Sequence, residues 1–317
     1  MRASIDVGTN TVRLLLGEAC DGKVVPDRYY RRITRLGGGF TSEKGLAPEA
    51  MERTLFALTE IGEILRASEV NTVRAVGTAA LRDAVNSASF VEEIRSATRI
   101  PLEIINGVEE ATLCARGVLS ALHPRPDHCL IFDIGGGSTE FILSRGSEPI
   151  FQRSYPLGVV HLCEQVPSLN QQIIRIGQIL DRFHTDLTAE GWEKTAAVST
   201  LVGTAGTVTT LAALQLEMTQ YDWRRVNNLV LGIEDLERMA IRLTSLTPDE
   251  RECLPGMEKG RGDLILPGIG IVLGILKHFG RSQVTVSDFG LLEGALLSLE
   301  NREGQSKARA LNTWEFE

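Results

Sequence analysis

Two related α/β domains, each a mixed sheet with flanking helices, are the fold class this sequence predicts, on three observations. A glycine and hydroxyl loop between strands occurs twice. Ser4-Ile5-Asp6-Val7-Gly8-Thr9-Asn10-Thr11 runs into the apolar stretch from Val12 to Leu16, and Phe132-Asp133-Ile134-Gly135-Gly136-Gly137-Ser138-Thr139 runs into Phe141-Ile142-Leu143. The two loop aspartates lie 127 positions apart, a domain-sized spacing. Pro124-Arg125-Pro126 interrupts the chain just before the second copy. The expected domains are residues 1–123 and 124–317, with the last helix, from about residue 298, packing back on the first domain.

The elements follow in order. Strands are expected over 3–6, 12–18 and 23–36. A helix follows over 48–68: Pro48 suits the first helical turn, and Met51, Leu55, Leu58, Ile61, Ile64 and Leu65 repeat at helical spacing. A strand over 73–76, a helix over 90–97, a strand over 102–105 and a helix beginning after Asn106 complete the first half. The second half repeats the plan, with strands over 129–133, 140–144 and 149–155 and a helix over 171–187. A strand over 197–201, a Gly-rich turn over 203–207 and a helix from 208 come next. Helices over 233–243 and 268–279, a strand over 283–287 and a helix from 291 to about 301 close the chain.

Composition narrows the function. At 43% hydrophobic and 23% charged residues, the chain reads as an ordinary globular protein. A net charge of −8 argues against a nucleic-acid partner, which needs a broad basic surface. It leaves room for a small phosphorylated ligand, whose charge loop N–H groups, a metal ion and a few arginines can meet. Met1-Arg2-Ala3-Ser4-Ile5-Asp6 enters a strand at once with no apolar signal segment. No apolar run reaches the roughly 20 residues of a membrane span. The scattered cysteines, Cys20, Cys114, Cys129, Cys163 and Cys253, read as small core residues in a reducing compartment. A cytoplasmic protein with no membrane partner is therefore expected. The five histidines show no metal-ligand spacing. The oligomeric state, a homodimer included, is left open.

In each loop, glycines bring backbone N–H groups close to an oxyanion, and hydroxyls add donors. The candidate phosphate binders are Gly8, Thr9, Asn10, Thr11, Gly135, Gly136, Gly137, Ser138 and Thr139. Asp6 and Asp133, at the strand ends, are suited to hold a hydrated Mg²⁺ or another divalent cation. Each loop is followed by an antiparallel strand, so neither is the strand-to-helix Gly-x-Gly-x-x-Gly of a dinucleotide fold, and no Gly-x-x-x-x-Gly-Lys-Ser/Thr loop is present. An actin-like (ribonuclease H-like) arrangement is left, with one phosphate site in the interdomain cleft built from the two loops. Gly206, in a turn that opens a helix, belongs to an anion-binding N-terminus. Asn106 and Glu109 have capping-box spacing, whereas Glu110 lies about 100° further round the helix and is free to face the site. Arg31, Arg32 and Arg35 read as a solvated strand face.

The chain resembles the exopolyphosphatase/guanosine pentaphosphate phosphohydrolase family. The matching blocks begin with Asp6-Val7-Gly8-Thr9-Asn10-Thr11-Val12-Arg13-Leu14, Gly77-Thr78-Ala79-Ala80-Leu81-Arg82-Asp83-Ala84 and Asn106-Gly107-Val108-Glu109-Glu110-Ala111. Asp133-Ile134-Gly135-Gly136-Gly137-Ser138-Thr139-Glu140 and Gly203-Thr204-Ala205-Gly206-Thr207 follow, then Asp263-Leu264-Ile265-Leu266-Pro267-Gly268 and Ser287-Asp288-Phe289-Gly290-Leu291-Leu292-Glu293-Gly294. The resemblance implies that Glu110 is the catalytic base, Glu140 a second catalytic carboxylate and Arg82 a phosphate-contacting arginine. Arg13 and Arg261 are candidates for more distant phosphates. The implied substrates are inorganic polyphosphate or guanosine pentaphosphate. Two rivals stay open: an ATP-using kinase or chaperone of the actin-like superfamily, and a non-catalytic guanosine penta- or tetraphosphate sensor. The chain departs from long family members in lacking their C-terminal helical region, and in carrying Asn227-Asn228 where the family often has His-Gly.

Overall fold

The first two strands are buried along most of their length, whereas the third is polar and largely exposed. Arg2–Val7 (β1), Thr11–Cys20 (β2) and Lys23–Ile33 (β3) form an antiparallel meander. Pro48–Ala67 (α1) is followed by Thr72–Gly77 (β4), Ala79–Asp83 (α2), Ser87–Thr98 (α3), Leu102–Ile104 (β5) and Gly107–Ala121 (α4). In this computed structural model, which describes residues 1–146, 148–166 and 168–306, the first sheet has the order β3-β2-β1-β4-β5. β4 and β5 run parallel to β1. One core joins Ile5, Val7, Leu14 and Leu16 to Leu58, Ile61 and Leu65 of α1 and Phe90 and Ile94 of α3.

The second set of elements repeats that plan. His128–Ile134 (β6), Thr139–Arg145 (β7) and Glu148–Tyr155 (β8) form the meander, followed by Val159–Gln165 (α5), Leu169–Ala189 (α6), Glu193–Val198 (α7), Thr200–Thr204 (β9) and Ala205–Gln215 (α8). Trp223–Val226 (α9), Val230–Gly232 (β10), Ile233–Thr244 (α10), Pro248–Glu252 (α11), Ile265–His278 (α12), Gln283–Val286 (β11) and Leu291–Ser306 (α13) complete the chain. The second sheet has the order β10-β11-β9-β6-β7-β8, with β9 and β11 parallel to β6 and β10 an antiparallel edge. Leaving β10 aside, both sheets run through the same sequence of strand positions. That shared order of mixed strands with flanking helices is the expected actin-like class. In the second core Phe141 stacks on Phe183 with ring centroids 4.1 Å apart.

Two compact units divide the chain, one of residues 1–120 with the helix after Gly290, the other of residues 121–289. α13 packs on β1, β2 and β4, with Leu292, Leu296 and Leu299 against Leu15 and Ala19. Backbone meets backbone there: a Cβ on Gly117 of α4 would lie 1.9 Å from the Gly290 oxygen.

Three expectations need correction. Residues 193–198 are helical and the strand begins at Thr200, because Ala196 docks into the core as the buried side of a single helical turn too short to register as a period. The turn over 203–207 is absent; β9 runs straight into α8, and Ala205, at φ +65°, makes the break alone. The strand expected to reach residue 36 stops at Ile33, where Thr34 and Arg35 donate their N–H groups to the Asn10 oxygen. Among the described residues no helix is long and apolar enough to cross a membrane.

Candidate active site

Within the first unit, the loop between β1 and β2 is a tight hairpin closed by Gly8 N–H donating to the Thr11 oxygen at 2.9 Å. Its carbonyls are turned away, with Thr9 O accepting from Gly37 N–H at 2.8 Å. A Cβ on Gly37 would come within 2.4 Å of the Thr9 methyl, so this support is built on a bare backbone. Thr9 and Asn10 are buried. At the strand end Asp6 is 3% exposed, and its Oδ2 accepts from Arg13 Nε and Nη2 at 2.9 and 2.6 Å. Asp6 Oδ1 and Asn10 Oδ1 are buried without a hydrogen-bond partner. Arg13, expected to serve a distant phosphate, is thus committed in this state to the carboxylate opposite it.

α2 and the first turn of α4 bring a second pair together. Arg82 Nη1 donates to Glu110 Oε2 at 3.0 Å and to the Ile105 oxygen at 3.1 Å. The neighbouring Glu109 has a different partner. Asn106 Oδ1 accepts from Glu109 N–H at 2.9 Å, which is half of the expected capping box. The other half is not made, because the Glu109 carboxylate pairs with Arg74 of β4. The Arg74 side chain is 4% exposed and also donates to Ser298 Oγ of α13 at 2.5 Å. The two glutamates therefore diverge as their spacing predicts, with Glu110 on Arg82 and Glu109 on a structural arginine.

The second unit repeats the hairpin: Gly135 N–H donates to the Ser138 oxygen at 2.9 Å. The Gly135 and Gly136 carbonyls accept from Val159 and Val160 N–H at 3.1 and 2.9 Å, at the start of α5. Gly158 lies so close that a Cβ there would meet the Gly136 oxygen at 2.2 Å and the Gly137 carbonyl carbon at 2.4 Å. Thr139 is fully buried and its hydroxyl donates to the Leu157 oxygen at 2.5 Å, so that side chain holds the loop rather than a ligand. Asp133 stands opposite Glu140 across β6 and β7. Glu140 is 2% exposed, not the exposed strand residue its alternation would allow, and its Oε1 accepts from Ser138 Oγ and Ser154 Oγ, each at 2.7 Å.

At the N-terminus of α8, Gly206 lies beneath the buried guanidinium of Arg261; a Cβ on Gly206 would come within 2.0 Å of Arg261 Nη2. Glu258 pairs with Arg261 at 2.8 Å. Asn228 takes φ +64°, a conformation glycine adopts freely and asparagine tolerates. Its side chain accepts from His123 N–H at 3.1 Å and donates to the Ala121 oxygen at 3.1 Å, so Asn227-Asn228 is a structural joint. Arg32 lies on the solvated face expected for it, paired with Glu60 at 3.1 Å.

Register exposes a relation that no motif carries. Asp6, Arg13 and Arg31 share a row across β1, β2 and β3, and Asp133, Glu140 and Ser154 share the matching row across β6, β7 and β8. Sequence reasoning missed Ser154, Arg74 and Ser298. Only strand pairing reveals the first, and the other two act across long sequence separations.

A protein with one oxyanion-type hairpin per unit, a Glu–Arg pair beside one and a carboxylate pair beside the other is equipped for phosphoryl chemistry. The sequence profile of the Ppx/GppA phosphatase family matches residues 28–303, and the chain belongs to that family. It is 34% identical over 94% of its length to Exopolyphosphatase 2 of Mycobacterium tuberculosis, covering 98% of that protein. It is 27% identical over 97% of its length to a guanosine-5'-triphosphate,3'-diphosphate pyrophosphatase of Vibrio cholerae, covering 61% of that protein. The crystal structure of an exopolyphosphatase from Cytophaga hutchinsonii superposes with a TM-score of 0.84 at 28% identity, over 95% of this chain and 98% of that one.

Proposed function

We propose that this protein hydrolyses a terminal phosphoanhydride, releasing orthophosphate from inorganic polyphosphate or guanosine pentaphosphate. The observation that carries the reading is the Arg82–Glu110 pair, a base and an anion-binding fork held 3.0 Å apart. An arginine partner makes a carboxylate a weaker base. Substrate phosphate competes for the Arg82 fork, releasing Glu110 to take a proton from water. The resulting hydroxide attacks the terminal phosphorus, the P–O bond to the bridging oxygen breaks, and the shortened chain leaves with its electron pair. Each hairpin, like the N-terminus of α8, offers backbone N–H groups suited to phosphoryl oxygens, and catalysis is chiefly positioning and charge stabilisation.

A divalent cation fits the residues present. Asp6 Oδ1 and Asn10 Oδ1 are orphaned buried oxygens, and Asp133 faces Glu140. Among the described residues no cluster of three or more His, Cys, Asp or Glu is placed to hold a metal. One or two carboxylates with retained waters is the usual Mg²⁺ arrangement, which points to Asp6 and Asp133 as holders. When bound, the ion neutralises developing phosphoryl charge. Cysteines 20, 114, 129, 163 and 253, none of them in a disulfide, suit a cytoplasmic setting. Purified protein incubated with Mg²⁺ and polyphosphate, guanosine pentaphosphate or ATP, with released phosphate measured, tests the reading. Release from ATP alone, or from none of the three, refutes it.

A further inference from the structure

Glu140 is nine-tenths buried or more, lies opposite another carboxylate, and has one oxygen held by two hydroxyls from different elements. Ser138 belongs to the hairpin itself. Ser154 lies on β8, an edge strand of the second sheet, directly across from Glu140 in the register. An acidic side chain set beside a like charge needs donors to hold its direction. We propose that Ser154 is a positioning residue: its hydroxyl, 2.7 Å from Glu140 Oε1, fixes the direction in which the Glu140 carboxylate faces the substrate.

Three observations support this role over a surface one. The bond runs between side chains on paired strands, so both ends are set by the ladder. The same oxygen takes Ser138 Oγ, so the two donors together define the carboxylate plane as neither would alone. The matching position in the first unit is Arg31, beside Arg13, so the two copies have diverged at this row. Ser154 is itself exposed, so replacing it leaves no cavity.

The inference rests on the hydrolase reading, and its test separates the two. Ser154→Ala should lower kcat about tenfold at nearly unchanged KM, the loss of one charge-assisted hydrogen bond made in the reacting complex. Ser154→Thr, which keeps a hydroxyl on the same carbon, should return most of the rate, and the melting temperature should stay constant in both. A kcat equal to wild type in the alanine variant, or a threonine variant no better than alanine, overturns the proposal. If the wild-type protein releases phosphate from neither polyphosphate nor guanosine pentaphosphate, the hydrolase reading fails. Crystal structures of wild type and Ser154→Ala then decide the positioning role alone. A re-oriented Glu140 carboxylate supports it and an unmoved one overturns it.

Discussion

Glu109 and Glu110 are adjacent in sequence and engaged by different arginines, so one substitution at each separates chemistry from architecture. Glu110→Gln keeps the side-chain shape and the ability to accept from Arg82 while removing the proton acceptor. Turnover should fall by about 10² or more, the usual contribution of a general base, with substrate binding retained. Glu109→Gln acts elsewhere. Its partner Arg74 is 4% exposed, so the lost ion pair leaves a buried cation undercompensated, while Glu109 itself is 43% exposed and solvent screens part of the interaction. Discounting a buried-pair loss for that exposure gives about 1–2 kcal/mol, a drop in melting temperature of a few degrees for a chain of this size. Turnover at a temperature where the protein is folded should stay within about threefold. Phosphate-release kinetics and calorimetry on both variants check the pair. Equal losses of turnover, or a larger loss for Glu109→Gln, would refute the division of roles.

Other substitutions probe the rest of the site. Arg82→Ala should weaken binding and turnover together, with Arg82→Lys recovering only part because the planar fork is lost; unchanged kinetics in both would leave Arg82 a structural ion pair. Gly206→Ala would drive a methyl into the Arg261 guanidinium, so KM for long polyphosphate should rise several-fold in steady-state assays while the fold is retained. Asp133→Asn should raise the Mg²⁺ concentration needed for half-maximal rate by about tenfold or more, whereas an unchanged Mg²⁺ titration would remove Asp133 from the cation site.

What was legible in the sequence was local. The hairpins, the long amphipathic α1 and the separation of Glu109 from Glu110 depend on residues within a few positions of each other, where spacing translates directly into geometry. What was hidden depends on partners brought in by the fold. Glu109 looked like half of a capping box because its local competitor, Asn106, is three residues away, but Arg74 lies 35 residues upstream and burial makes its demand for an anion the stronger one. Short elements such as α2 and α7 carry too few residues to show a helical period, so the turn that presents Arg82 was read only as a motif.

The two matching rows show what duplication followed by divergence leaves behind. The hairpins are alike, down to the same N–H to carbonyl closure at 2.9 Å, because that closure is made of backbone. The row beside each is made of side chains, and there the copies separate: Asp6, Arg13 and Arg31 in one, Asp133, Glu140 and Ser154 in the other. A row with two arginines favours anions, and a row with two carboxylates favours a cation or a proton. Hydrolysis of a phosphoanhydride needs both preferences at once, since the substrate is an anion whose transition state gains from a cation and a base. A pure nucleotide sensor has no use for the second row. Glu140→Gln should therefore abolish turnover, and both it and Asp133→Asn should leave the affinity for guanosine pentaphosphate, measured by calorimetry without Mg²⁺, within a few-fold of wild type. A parallel collapse of affinity would mean that the acidic row serves binding, and would return the sensor to contention.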